Sequence, residues 1–216
     1  MAAKSFIYFI IESNRLRSLL IYSGIMWGTF CLANTYRTSL LEEIEIPATW
    51  IAIIAAIIDI ASGIGSKKQL KIHKMFKNKS LSVLAFTTAI MIWLSGIIGN
   101  SNLLPNSIMI LVTIFYIILN ANKGIFGVLM TRYLSNFTNS NILPKIYSVN
   151  SISRNFFRMI IGFLGSYILS ITNTANSLIL TGIIFTIVVL SLISYMKTRT
   201  GLKPEEYQKD DIEFDI

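Results

Sequence analysis

Long apolar runs dominate the sequence, and short polar or turn-forming segments separate them. A helix that crosses about 30 Å of hydrocarbon needs about 20 mostly apolar residues, and its backbone polar groups must bond within the helix. The segments that meet this requirement are 16–40, 48–66, 81–99, 108–130, 151–171 and 176–196. The pattern therefore predicts an all-α membrane protein with six transmembrane helices. We expect residues 1–15 to form an amphipathic cytoplasmic lead-in and residues 197–216 to form a cytoplasmic tail.

Composition supports a membrane protein and excludes several other classes. Of the 216 residues, 53% are hydrophobic and only 14% are charged, whereas a soluble domain usually has about a quarter charged residues. Cys31 is the only cysteine, which excludes intramolecular disulfides and cysteine-cluster metal sites. The sequence contains no nucleotide-binding loop, nucleophile elbow or zinc-ligand spacing. We therefore expect neither an enzyme nor a cofactor or metal site.

The basic residues are sorted to one side of the predicted helices. Every lysine and arginine except Arg37 lies on that side, or in the helix ends leading to it. The connection between the second and third helices is the most basic, with Lys67, Lys68, Lys71, Lys74, Lys77 and Lys79. By the positive-inside rule this side is cytoplasmic, and six spans place both termini there. The rule explains the net charge of +8 without a nucleic-acid partner. We expect the protein to lie in the inner membrane of a bacterial cell.

Two matching polar motifs interrupt the apolar pattern of the first and fourth helices. Asn34 and Arg37 share the pattern Asn-x-x-basic with Asn120 and Lys123, and Trp27 lies on the same helical stripe as Asn34. If the helices form two inverted three-helix repeats, these motifs occupy equivalent positions. Interrupted helices at matching places in such repeats indicate a transport site. We predict that the amides bind a solute, that the cations pair with its anionic group, and that the indole forms an apolar wall.

Each polar residue also has a structural alternative. Arg37 could extend its charge to the outer headgroups, and Asn34 could hold two helices together by hydrogen bonding. Lys123 becomes an ordinary interfacial charge if the fourth helix breaks at Gly124. Asp59 is the only acid within a predicted span. It could gate transport or exchange a proton, or it could pair with a cytoplasmic basic residue and hold a closed state.

Four stretches of the chain resemble the carboxy-terminal six-helix half of bacterial major facilitator superfamily transporters. They are residues 12–20, 132–138, 145–148 and 198–207. The family's basic signature between the second and third helices is reduced here to Asp59 and the pair Lys67 and Lys68. A complete member has two such halves with the substrate cavity between them. The resemblance therefore implies a second half, either a separate chain or another copy, with the first and fourth helices lining the cavity.

These observations predict half of a secondary active transporter that moves a small solute by alternating access. Its expected partners are the lipid bilayer, the solute and the second half, and no nucleic acid. Two alternatives stay open. The chain could be a transport-inactive fragment, or it could be a membrane scaffold or regulatory protein that docks a partner through its tail.

Overall fold

The computed structural model describes residues 13–76, 79–136, 138 and 141–199. These residues form helices joined by short connections, with no strand among them. In chain order the helices are α1 (Asn14–Glu43), α2 (Ala48–Phe76), α3 (Ser80–Gly99), α4 (Pro105–Asn136), α5 (Leu143–Ile171) and α6 (Thr174–Arg199). Residues 1–12 of the predicted lead-in and 200–216 of the predicted tail lie outside the described residues.

Local signals in the sequence fix several helix ends. The Ser13 hydroxyl caps α1 by accepting a 3.3 Å hydrogen bond from the backbone N–H of Leu16. Proline opens α4 at Pro105 and stands in the first turn of α5, where no intrahelical donor is lost. At the end of α1 the chain turns through Glu45, which has a φ of 60°. The N–H of Ile46 then bonds back to the carbonyl of Leu41, which closes the helix end.

Five of the described helices are long and apolar enough to cross a membrane, and α5 is the exception because polar residues share its length. The outer surface carries many large apolar side chains. They include Trp50, Ile57, Ile64, Trp93, Ile114, Phe163 and Ile187. An apolar exterior of this extent suits lipid rather than water. The protein is therefore a multi-pass membrane protein.

The helices extend beyond the predicted spans. The second predicted span ends at residue 66, yet α2 continues to Phe76 and carries the first lysines of the basic connection. The fifth predicted span starts at residue 151, whereas α5 starts at Leu143. Helix α4 runs without interruption through Gly124, so the interpretation of Lys123 as an interfacial charge at a helix break is wrong. The two Asn-x-x-basic motifs lie within continuous helices.

Helices α1 and α4 lie at the centre of the bundle. In its most apolar stretch α1 is 72% buried, whereas α2 is only 22% buried at the periphery. Helix α1 packs mainly on α5 and α6, and α4 packs mainly on α2 and α3. Two further contacts, α3 with α6 and α1 with α4, join these groups. The core consists of large side chains from the central helices, among them Tyr22, Phe30, Tyr116 and Phe126.

Glycines allow the closest helix crossings. A methyl group at Gly65 of α2 would meet the backbone of Ala121, and one at Gly124 of α4 would meet the carbonyl of Ser62. On the other side of the bundle, Gly24 of α1 leaves room for the ring of a phenylalanine on α5. Small residues at helix interfaces let membrane helices approach until their backbones touch. These contacts hold α2 and α5 against the central pair.

Candidate functional site

Asn34 and Asn120 form a reciprocal pair where α1 crosses α4. The Asn34 Nδ2 donates to Asn120 Oδ1 at 3.3 Å, and Asn120 Nδ2 donates to Asn34 Oδ1 at 3.1 Å. Each Nδ2 also donates to a backbone carbonyl one turn earlier, that of Phe30 at 2.8 Å and that of Tyr116 at 3.0 Å. Both N–H groups of each amide are therefore used. The pair therefore joins the two central helices, and we call it the amide clasp.

Arg37 lies one turn beyond this pair and does not extend to the outer surface of the bundle. Its side chain is only 7% exposed, and its guanidinium carbon lies 5.9 Å from the centre of the Tyr116 ring. Its Nη2 donates to Thr38 at 3.3 Å, while its buried Nε has no hydrogen-bond partner. A buried cation with an unpaired donor is costly unless an acceptor reaches it. Its position therefore argues against the interpretation that Arg37 extends to the lipid headgroups.

Asp59 is not part of this cluster, because its side chain is exposed on the peripheral helix α2. Asn122, the other amide of α4, points away and donates to Thr87 of α3 at 2.8 Å. The two asparagines of this part of α4 thus face different helices, Asn120 towards α1 and Asn122 towards α3.

Trp27 carries two cations on its ring. The Lys123 Nζ lies 5.4 Å from the ring centre, and the guanidinium carbon of Arg154 lies 4.7 Å from it. Arg154 is held there by a 2.9 Å hydrogen bond from its Nε to Ser23 of α1. Attraction between a cation and an aromatic face stabilises each contact separately. These contacts place two positive charges around one indole ring.

A cavity of about 350 Å³ opens beside this ring, between α1, α4 and α5. Its lining residues are Trp27, Thr131, Tyr147, Asn150, Ser151, Arg154 and Asn155. Two buried polar atoms among them have no hydrogen-bond partner, Oδ1 of Asn150 and Nη2 of Arg154. Buried polar atoms are normally paired, so each unpaired atom requires an explanation such as a ligand or a water molecule. The cavity thus has the polar groups of a binding site.

Sequence reasoning found part of this site and missed the rest. It predicted Trp27 and Lys123, which the structure brings together, and it missed Arg154 and Asn150. The available signal was their spacing of four residues on one helix, which places both side chains on one face. From the sequence, Arg154 is one of the basic residues that indicate the cytoplasmic side.

The described residues contain no group of three or more histidine, cysteine or acidic side chains that could hold a metal ion. The lone histidine, His73, lies at the basic end of α2. Its Nδ1 is 3.4 Å from the hydroxyls of both Ser80 and Tyr133. These contacts tie the end of α2 to α3 and α4, which is a structural role.

Comparison of the chain with protein-family models, with curated proteins and with solved structures finds no match. The resemblance to the major facilitator superfamily therefore stays a prediction, based on the four stretches given above. The function has to be inferred from the arrangement of the side chains.

Proposed function

We propose that the protein is one half of a secondary active transporter, moving a small solute across a cell membrane by alternating access. The observation that carries the proposal is the crossing of α1 and α4 through the paired amides of Asn34 and Asn120, within a largely apolar bundle. Polar side chains in a membrane interior are expensive, and they mark solute pathways more often than they mark packing defects. Each amide oxygen of Asn34 and Asn120 keeps one acceptor site beside the bond that joins the pair. These two amides and the cations Arg37 and Lys123 are the solute-binding groups in this proposal, with Trp27 as the apolar wall.

The packing pattern supports two related three-helix units. Helix α1 packs on α5 and α6 as α4 packs on α2 and α3, and the remaining main contacts join α1 to α4 and α3 to α6. If α1 is exchanged with α4, α2 with α5 and α3 with α6, the same set of contacts results. Corresponding helices, such as α1 and α4, are three crossings apart, so they would run through the membrane in opposite directions. The two units would then be inverted relative to one another. Inverted repeats with a site at their interface are a common transporter architecture.

The peripheral helices support the need for a second half. Asp59 on α2 and Asn155 and Arg158 on α5 are exposed, although both helices carry apolar residues for lipid contact. An ionised side chain facing hydrocarbon is strongly unfavourable, so these faces need a protein or aqueous neighbour. A second six-helix half, as a separate chain or another copy, would cover them and enclose the solute path. Asp59 would then lie at the moving interface, where we assign it a gating or proton-coupling role.

The orientation follows from the charges. With the basic ends of α2 and α4 on the cytoplasmic side, six crossings would place both termini in the cytoplasm. The resemblance to bacterial transporters would place the protein in the bacterial inner membrane. The proposal needs no bound cofactor, because an ion or solute gradient would supply the energy. The interface between the halves, rather than a catalytic centre, is where the conformational change would occur.

Uptake into vesicles tests the proposal. The purified chain is reconstituted alone, and also together with the product of any adjacent gene that encodes a six-helix membrane protein. A panel of labelled solutes is then offered under proton and sodium gradients. We expect saturable uptake of at least one solute, reduced at least about tenfold by Asn34→Ala or Asn120→Ala.

Asn100→Ala is the matched control. Asn100 forms a similar interhelical amide pair, donating to Asn176 at 2.6 Å, but this pair is exposed at the end of the bundle. The control should retain uptake, and circular dichroism should confirm that all variants are folded. Uptake no greater than that of empty vesicles under every condition would overturn the proposal. Equal losses in folded Asn34→Ala and Asn100→Ala proteins would overturn the assignment of the polar crossing.

A further inference from the structure

The cavity beside Trp27 combines two features that point to a ligand. Asn150 in its wall is only 5% exposed, yet the amide oxygen of this residue has no hydrogen-bond partner. On the same face of α5, one turn later, the buried Nη2 of Arg154 also has none. One atom requires a hydrogen-bond donor and the other requires an acceptor. A single molecule that carries both kinds of group would satisfy them together.

The charges around the cavity define the acceptor. Arg154 lines the cavity, Lys123 contacts the same Trp27 ring without lining the cavity, and no acidic residue is among the lining residues. Guanidinium groups bind carboxylates and phosphates through short, charge-assisted hydrogen bonds. A bound anion would pair with the unpaired Nη2 of Arg154 and compensate its charge, whereas a neutral molecule would leave the charge uncompensated.

We infer that this cavity binds a small organic anion in which a carboxylate or phosphate is accompanied by a hydroxyl or amino donor. The anionic group lies against Arg154, the donor bonds to Asn150, and the carbon chain packs against Trp27. A volume of about 350 Å³ is at the lower end of the range for ligand sites, which suits a metabolite of a few carbon atoms. The inference deepens the proposed transport function and rests on it for one point only, that the anion is the cargo.

Tryptophan fluorescence gives a direct readout of binding. The other two tryptophans, Trp50 and Trp93, are 53% and 45% exposed on the lipid-facing surface. Replacing both with phenylalanine leaves Trp27 as the single emitter. The full chain is placed in phosphatidylcholine nanodiscs and titrated with glycerol 3-phosphate, D-glycerate, propionate and glycerol.

We expect saturable changes in emission with glycerol 3-phosphate and D-glycerate. Propionate lacks the donor and should bind at least about tenfold more weakly, while glycerol lacks the anion and should give no saturable change. Equal responses to glycerol and D-glycerate would overturn the assignment, because they would show that charge is not recognised. No saturable change with any anion would overturn the site itself.

Variants connect the response to the two unpaired atoms. Arg154→Gln should weaken D-glycerate binding at least about thirtyfold, whereas Arg154→Lys, which keeps the charge, should lose less. Asn150→Leu should remove the preference for D-glycerate over propionate. Arg158→Gln is the matched control, since Arg158 is exposed one turn further along α5, and it should bind as the parent does. If Arg154→Gln does not fold by circular dichroism, the Asn150→Leu comparison still decides the assignment.

A lipid headgroup could supply the same phosphate and hydroxyl groups as a free solute. Nanodiscs containing phosphatidylglycerol separate the two sources. If this lipid alone shifts the emission and blocks glycerol 3-phosphate in the parent but not in Arg154→Gln, the anion site holds lipid and the cargo assignment is overturned. Binding needs no transport, so a failure here leaves the uptake experiment intact. Anion binding without uptake would instead overturn the proposed function and keep the site.

Discussion

The amide clasp between α1 and α4 should contribute measurably to stability, and a double-mutant cycle isolates its contribution. Removing one partner leaves the amide of the other without its interhelical bonds. For Asn34→Ala the remaining amide is that of Asn120, which is only 1% exposed and has little access to water. Losing a partner in such a position costs about 1–3 kcal/mol, so we expect each single variant to be destabilised by at least about 1 kcal/mol.

The coupling energy follows from the geometry. Two hydrogen bonds, at 3.1 and 3.3 Å, join the side chains, and interhelical hydrogen bonds in membrane proteins average about 0.6 kcal/mol each. The expected coupling between Asn34→Ala and Asn120→Ala is therefore about 1 kcal/mol. Bonds from each amide to its own helix cancel in the cycle, because each is lost in one single variant and again in the double variant.

Reversible unfolding in mixed micelles measures the four free energies, with circular dichroism as the signal. The pair Asn100 and Asn176 provides a parallel cycle with the same chemistry in an exposed position. Water competes there, so its coupling should be about 0.5 kcal/mol or less. Additive effects at the α1–α4 crossing, within about 0.3 kcal/mol, would refute the assignment of a clasp.

Three further substitutions test the packing, a turn and the proposed interface. Gly124→Ala should lower the unfolding free energy by about 1–3 kcal/mol, because its methyl group would meet the carbonyl of Ser62, whereas Gly127→Ala meets nothing within 4 Å and should not destabilise. Glu45→Gly should raise the unfolding free energy by about 0.5 kcal/mol. Glycine removes the strain of the left-handed backbone at this position, and its larger entropy in the unfolded chain offsets part of that gain. Both are read from micelle unfolding, and an unchanged Gly124→Ala or a destabilised Glu45→Gly would contradict these expectations. Asp59→Asn should abolish the dependence of uptake on the proton gradient if this carboxylate couples transport, and unchanged dependence would exclude that role.

Five of the six predicted membrane helices could be recognised from the sequence, because a bilayer imposes a length and a composition on every span. Their ends were not predictable from hydropathy, since a helix continues into water when its next residues are helix formers. The lysine-bearing end of α2, as far as Phe76, is such a case. Asn34 and Asn120 could be recognised individually as polar residues within spans. Their direct contact depends on how α1 crosses α4, which is a tertiary property.

Arg154 and Asn150 were harder to recognise for a physical reason. Helix α5 is the described helix that fails the criteria for an apolar span, so its polar residues did not stand out against an apolar background. Their significance comes from the approach of α5 to α1. Gly24 and Gly28 allow that approach, and Ser23 then holds the Arg154 guanidinium over Trp27.

The distribution of satisfied and unsatisfied polar groups indicates how the protein would move. Buried tyrosine hydroxyls tie the helices together through backbone carbonyls: Tyr22 bonds to Leu81, and Tyr116 bonds to Ala33. With the amide clasp, such bonds favour a six-helix unit that moves as one body. In the described part of the chain, six buried side-chain atoms lack partners, and three of them belong to Arg37, Asn150 and Arg154. In the proposed transporter, this unit would rock against a second half. The unpaired groups of Arg37, Asn150 and Arg154 would exchange partners during that motion, while the interior bonds stay intact.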